Sequence, residues 1–259
     1  MIADFLTLLT VCHTVIPEEG EDGETRYNAA SPDEKALVEG AENYDYKFIV
    51  RKPESVTIKT CMGEEETYEV LNVIEFTSTR KRMSILVKTP SGEIKLFIKG
   101  ADSVILERLG QNREQRKHYE VTLQHLEEFA KCGLRTLCLG VATIPLAQYE
   151  EWNKRWVVAS TAITNREEQI DDVATSIETN LTLIGATAIK DKLQDQVPEA
   201  AGSEHSRVDA DRGQAGDGHQ HCQVLSATQG QHIPVHHQLQ LTRGGQGGDP
   251  GAVEGVEEV

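Results

Sequence analysis

The sequence predicts a mixed α/β (α+β) domain over residues 1–200 and an unstructured tail over residues 201–259. Three observations lead there. Strand-like alternation of apolar and polar residues runs through 67–76, 83–89 and 93–98. Helical periodicity runs through 31–43, 114–131 and 146–160. The composition then changes near residue 200. Residues 201–259 contain no Phe, Tyr, Trp or Lys, yet hold six of the nine histidines and eleven of the 21 glycines. Such a segment cannot bury enough apolar surface to offset the entropy of ordering it.

The first helix, 31–43, opens on Ser31-Pro32-Asp33-Glu34. Serine at the N-cap, proline at the first helical position and glutamate at the third form a capping box. Pro90-Ser91-Gly92 between the second and third strands is a turn signal, so those strands form a hairpin. Gly133 follows the second helix as its C-cap. A last strand-like run, 181–189, leads into Lys190-Asp191-Lys192. No internal repeat is present.

Composition narrows the function. The 259 residues suit one large domain or two small ones, and 38% hydrophobic residues allow a sizeable core. The formal net charge is −16, from 26 basic against 42 acidic residues. Such a body repels nucleic acid and anionic lipid, so any polyanion site must be a small basic pocket. The five cysteines are odd in number and include no CxxC pair, which fits reduced thiols in the cytosol. The first ten residues lack the basic start of a signal peptide, and the apolar stretch 5–16 is too short to span a bilayer. The chain reads as soluble.

Four motifs in the first 200 residues admit a chemical reading beside a plain one. Ser31-Pro32-Asp33-Glu34 reads plainly as a helix start. In Phe76-Thr77-Ser78-Thr79-Arg80-Lys81-Arg82-Met83-Ser84, three consecutive basic residues follow an aromatic at a strand end. That ring can stack on a purine, a contact worth roughly 1–3 kcal/mol per base, or can sit in the core before a solvated charged turn. Lys99-Gly100-Ala101-Asp102 puts a cation and a close-approach glycine at a strand terminus, or is a simple connection with Asp102 as N-cap. Gly133-Leu134-Arg135-Thr136-Leu137 is a helix-to-strand corner with an arginine either functional or merely exposed.

The order of these motifs carries more than any one of them. NAASPDEKALV, EFTSTRKRMS, FIKGAD, GLRTL and GATAIKDKLQDQVPE together resemble the nucleotide-binding domain of the phospholipid-transporting (type IV, lipid flippase) P-type ATPases over roughly residues 5–200. Lys35 departs from the pattern, which has a small residue after SPDE. The resemblance implies an antiparallel sheet of about six or seven strands flanked by helices. It implies ATP as the ligand, with Phe76 stacked on adenine and Glu34 and Ser78 at the base. Lys81 and Lys99 would line the cleft, and Arg135 with Thr136 would reach toward the phosphates. Asp191 would lie in a hinge. Residues 5–184 would form the nucleotide-binding domain and 185–200 the start of that hinge, toward a phosphorylation domain.

The same resemblance sets expectations for a parent enzyme. It would be a membrane protein with this domain on the cytosolic side, coupling ATP hydrolysis to phospholipid transport. It would use Mg²⁺ and work with an accessory membrane subunit. Neither the DKTGT nucleophile motif nor a TGES loop occurs in the 259 residues, so the chain has an ATP handle without a nucleophile of its own. Alternatively it is an inactive product that binds nucleotide or a partner, or a mispredicted gene without a role. The magnesium-site motif TGDKQET is also missing from this frame. Residues 208–221, VDADRGQAGDGHQH, decode in a shifted frame as WMLTGDKQETAINI, and 229–238, QGQHIPVHHQ, as KGNISLYIIN. Seven positions of the first run (Asp209, Asp211, Gln214, Asp217, His219, Gln220 and His221) allow only two decodings each, and all seven accommodate the expected residue. The tail is therefore expected to be a shifted frame. Its His219, His221, Cys222, His232, His236 and His237 match no zinc spacing, so no metal site is expected.

Overall fold

The computed structural model describes residues 1–19, 25–110, 113–190 and 222–226. In chain order the elements are α1 (Ile2–Val11), β1 (Ile16–Glu19), β2 (Thr25–Asn28), α2 (Pro32–Glu42), β3 (Lys47–Lys52), β4 (Ser55–Lys59), β5 (Glu65–Ile74), β6 (Arg82–Lys88) and β7 (Ile94–Gly100). They continue with α3 (Asp102–Leu106), α4 (Arg113–Lys131), β8 (Arg135–Ile144), α5 (Leu146–Ser160), α6 (Arg166–Ile177), β9 (Thr182–Ile189) and β10 (Cys222–Ser226).

Strands β3 to β9 form one antiparallel sheet in which each strand lies beside its sequence neighbours, and β10 is added outside β9. The seven strands match the sheet expected from the sequence. The eighth comes from the tail: residues 222–226 pair with β9, while the rest of 201–259 lies outside the described residues. A separate hairpin joins β1 to β2.

Two apolar layers sandwich the sheet. On one face Phe5, Leu8 and Leu9 of α1 and Leu37 and Val38 of α2 meet Phe48, Ile58, Met83, Ile85 and Phe97. On the other, Ile105 of α3, Leu126 of α4, Trp152 of α5 and Ala174 and Ile177 of α6 meet Leu86, Leu96, Ile98 and Leu183. Wholly burying each large side chain contributes about 1.5–3 kcal/mol. Double coverage explains why the central strands do not keep the alternation read from the sequence. Met83 to Val87 are all buried, as are Leu96 to Gly100. Among the described residues no helix is long and apolar enough to cross a membrane.

Local chemistry corrects two caps. Ser31 is the N-cap of α2, but its side chain makes no capping hydrogen bond, and Glu34 turns away from the helix end. Ala101, not Asp102, is the N-cap of α3. Gly133 does terminate α4. At φ +70° it donates to the Ala130 carbonyl while Leu134 donates to that of Phe129, a Schellman closure that glycine adopts without a Cβ penalty.

Candidate functional site

Antiparallel order brings the ends of β5, β7 and β9 and the starts of β6 and β8 to one end of the sheet. Arg82 faces Gly100, Gly100 faces Cys138, and Arg135 faces Ile189. The first turn of α2 lies over the same end, tied there by two ion pairs. Lys99 Nζ donates to Glu34 Oε1 at 2.8 Å, and Arg135 Nη1 to Asp33 Oδ2 at 3.1 Å. All four motifs therefore converge.

Lys99 is buried and Glu34 nearly so. Thr14 donates to Glu34 Oε2 through its backbone N–H (3.1 Å) and its hydroxyl (2.5 Å). Burial is the largest influence on this carboxyl and opposes ionisation. The Lys99 charge and the hydrogen bonds from Lys99 and Thr14 outweigh it and hold the group below its ordinary value. The site thus contains a fixed carboxylate bound to a fixed ammonium.

Beneath it sits His13, wholly buried. Its Nε2 lies 2.9 Å from the Thr10 carbonyl, and its Nδ1 accepts from Val15 N at 3.1 Å. The carbonyl can only accept and the amide can only donate, so the ring is neutral with its proton on Nε2. Burial, then the charges of Lys99 and Arg51, push its pKa down to about 3. Arg51 donates to the His13 carbonyl.

The turn between β5 and β6 is compact. Lys81 N donates to Thr77 O at 2.8 Å, and Arg80 N to Thr77 Oγ1 at 3.1 Å. Lys81 has φ +51°, in the left-handed region. Phe76 is 58% exposed, so it is not the core residue of the plain reading. Ser78 and Lys81 are exposed as well. The solvated charged turn is also corrected: Arg80 and Arg82 point inward and are about 5% exposed. Arg80 Nη2 reaches Glu178 Oε1 at 2.5 Å, and Arg82 Nε reaches Oε2 at 2.6 Å. Of three consecutive cations, one is left to the surface.

Gly100 allows the turn to lie against β7. A Cβ there would sit 2.7 Å from both Lys81 O and Arg82 Cβ, where Ala101 N donates to Lys81 O at 3.0 Å. Arg135 is exposed and Thr136 half-buried at the start of β8, directly after the Gly133 corner. The arrangement brings an exposed aromatic ring, the exposed Lys81, Arg135 paired with Asp33, the buried Lys99–Glu34 pair and several hydroxyls to one end of the sheet. Asp191 falls outside the described residues.

Thr14, His13, Arg51 and Glu178 were not singled out in the sequence. Thr14 lies 20 positions from Glu34, Arg51 lies 38 from His13, and Glu178 lies 96 and 98 from Arg82 and Arg80; none of the four belongs to a motif or a periodic stripe. Among the described residues no three His, Cys, Asp or Glu side chains are grouped to hold a metal ion.

Residues 1–196 match the profile of a family described as P-type ATPase, cytoplasmic domain N. The chain is 57% identical over 200 residues to phospholipid-transporting ATPase DRS2 of Saccharomyces cerevisiae, covering 77% of this chain and 15% of that protein. It is 49% identical over 198 residues to human phospholipid-transporting ATPase IC, covering 76% of this chain and 15% of that protein. A third similar protein, phospholipid-transporting ATPase C887.12 of Schizosaccharomyces pombe, is 46% identical over 200 residues, covering 77% and 16%. The chain thus matches about a sixth of the length of these curated relatives.

Proposed function

Because the chain belongs to the P-type ATPase cytoplasmic domain N family, we propose that it binds ATP at this end of the sheet, as the nucleotide-binding part of a phospholipid-transporting ATPase. The observation that carries the reading is Phe76. A phenylalanine left 58% exposed on the same turn as the exposed Lys81, at the sheet end that also holds the Arg135–Asp33 and Lys99–Glu34 pairs, gives a purine a face and a phosphate a cation to approach. Glu34 and Ser78 contact the base and nearby polar atoms. Lys81 and Lys99 line the cleft. Arg135 and Thr136 reach toward the phosphates.

The parent enzyme couples ATP hydrolysis to moving phospholipid toward the cytosolic leaflet, with this domain on the cytosolic side of a membrane protein and an accessory membrane subunit beside it. Residues 5–184 form the binding domain, and 185–200, including Asp191, lead to the phosphorylation domain. Mg²⁺, the phosphorylated aspartate and the lipid path belong to parts of the parent outside these 259 residues. The chain by itself holds ATP without turning it over. The shifted-frame tail agrees with a family match that ends at residue 196. Codons incompatible with WMLTGDKQETAINI would remove that part of the account.

Titrating ATP into isotopically labelled chain tests the site. The amides of 76–81, 99–100, 133–136, 31 and 33–34 are expected to shift together. Shifts confined to any other face would contradict the assignment.

A further inference from the structure

We propose that Glu178 is a positioning residue for the nucleotide site, acting through the 76–81 turn. The inference rests on the ATP-binding reading of that site and concerns a group no motif contains. Glu178 follows α6 as its C-cap and is wholly buried. Both of its oxygens are used. Oε1 accepts from Arg80 Nη2 and from Ser84 Oγ at 2.6 Å, and Oε2 accepts from Arg82 Nε. Arg82 also donates to Thr175 Oγ1 at 3.0 Å. Asp171 adds ion-pair proximity, 3.1 Å from Arg80 Nε, but without hydrogen-bond alignment. Glu178 is therefore the directional partner of both guanidinium groups.

The consequence lies between the two arginines. With Arg80 and Arg82 drawn inward, the residue between them must face out, and Lys81 does so at φ +51°. A lysine in the left-handed region costs energy and persists where its surroundings hold it. Here the clamp holds it from below, and the Thr77 and Ala101 backbone bonds hold it from the sides. Phe76 and Ser78 ride on the same turn. A turn ordered in advance spares the ligand the cost of ordering it.

The test uses Glu178→Gln, which keeps the side-chain shape and removes the charge, and Arg80→Lys as a milder second variant should the first fail to fold. Two readouts are taken. In nucleotide-free chain, hydrogen exchange at the Lys81 and Ala101 amides is expected to accelerate about tenfold or more, while Ile98 and Gly140 keep wild-type protection. ATP affinity is expected to fall about tenfold. Unchanged exchange in the turn overturns the clamp, as does a uniform acceleration that includes the core strands. A loosened turn with wild-type ATP affinity overturns the positioning role. If wild-type chain binds no ATP, the site reading fails and takes the positioning role with it. The exchange data then decide separately whether Glu178 holds the turn.

Discussion

Leaving Phe76 58% exposed forgoes part of the roughly 1.5–3 kcal/mol that full burial of such a ring contributes. Nothing in the core depends on it. Phe76→Ala is accordingly expected to weaken ATP binding by roughly 1–3 kcal/mol while circular dichroism and melting stay near wild type. Unchanged affinity would count against stacking. Lys99 behaves differently, because it is buried against Glu34. Lys99→Ala leaves a desolvated carboxylate with only Thr14 as donor, so both stability and ATP affinity should drop, by about 1–3 kcal/mol in stability. Acid acts on the same groups. Glu34 is held below its ordinary value in the fold, so its contribution is present above the ordinary value and lost as pH falls on through the depressed one. His13, depressed to about 3 from an ordinary 6.5, works over a higher window. The unfolded chain protonates below pH 6.5 while the buried ring does not, so stability falls between pH 6.5 and 3. Urea titrations at pH 7 and pH 5 should differ by about 2 kcal/mol from this group, a difference that His13→Gln should largely abolish. The residues of the site were readable in the sequence only as pieces of motifs. Their pairing was not, since Glu34 and Lys99 are 65 positions apart and local chemistry offered Glu34 a capping role instead.

Among the elements, Gly100 sets how closely β7 and the 76–81 turn approach. Gly100→Ala would place a Cβ 2.7 Å from a backbone carbonyl and from Arg82 Cβ. It should cost about 1–3 kcal/mol, measurable as a lower urea midpoint, and should weaken ATP binding because Lys81 moves. A neutral outcome would mean that the turn gives way freely. Alternation and periodicity foretold α2, α4, α5, β5 to β7 and β9, each found within two residues of its expected bounds. The elements they missed carry a weaker local pattern. Helix α1 is buried along Phe5 to Val11, all round its circumference, and so reads as an apolar run without a period. Helix α6 buries only Ala174 and Ile177, both in its last turn, so no apolar stripe runs its length. In the β3–β4 hairpin the few buried positions, Phe48, Val56 and Ile58, are diluted by Lys and Arg.

The whole molecule is an acidic body, net charge −16, with a few cations gathered at one end of its sheet. On the proposed reading this end binds a polyanion, and the 259 residues hold no DKTGT sequence, so the isolated chain is expected to show no ATP turnover in a phosphate-release assay. Sustained hydrolysis abolished by Phe76→Ala would refute this. The measurement that bears most directly on the central claim is calorimetric titration of ATP into the folded chain. Saturable one-to-one binding, weakened by Phe76→Ala and by added salt, is the predicted result. No heat and no saturation at millimolar ATP, in a chain whose circular dichroism shows it folded, would contradict it.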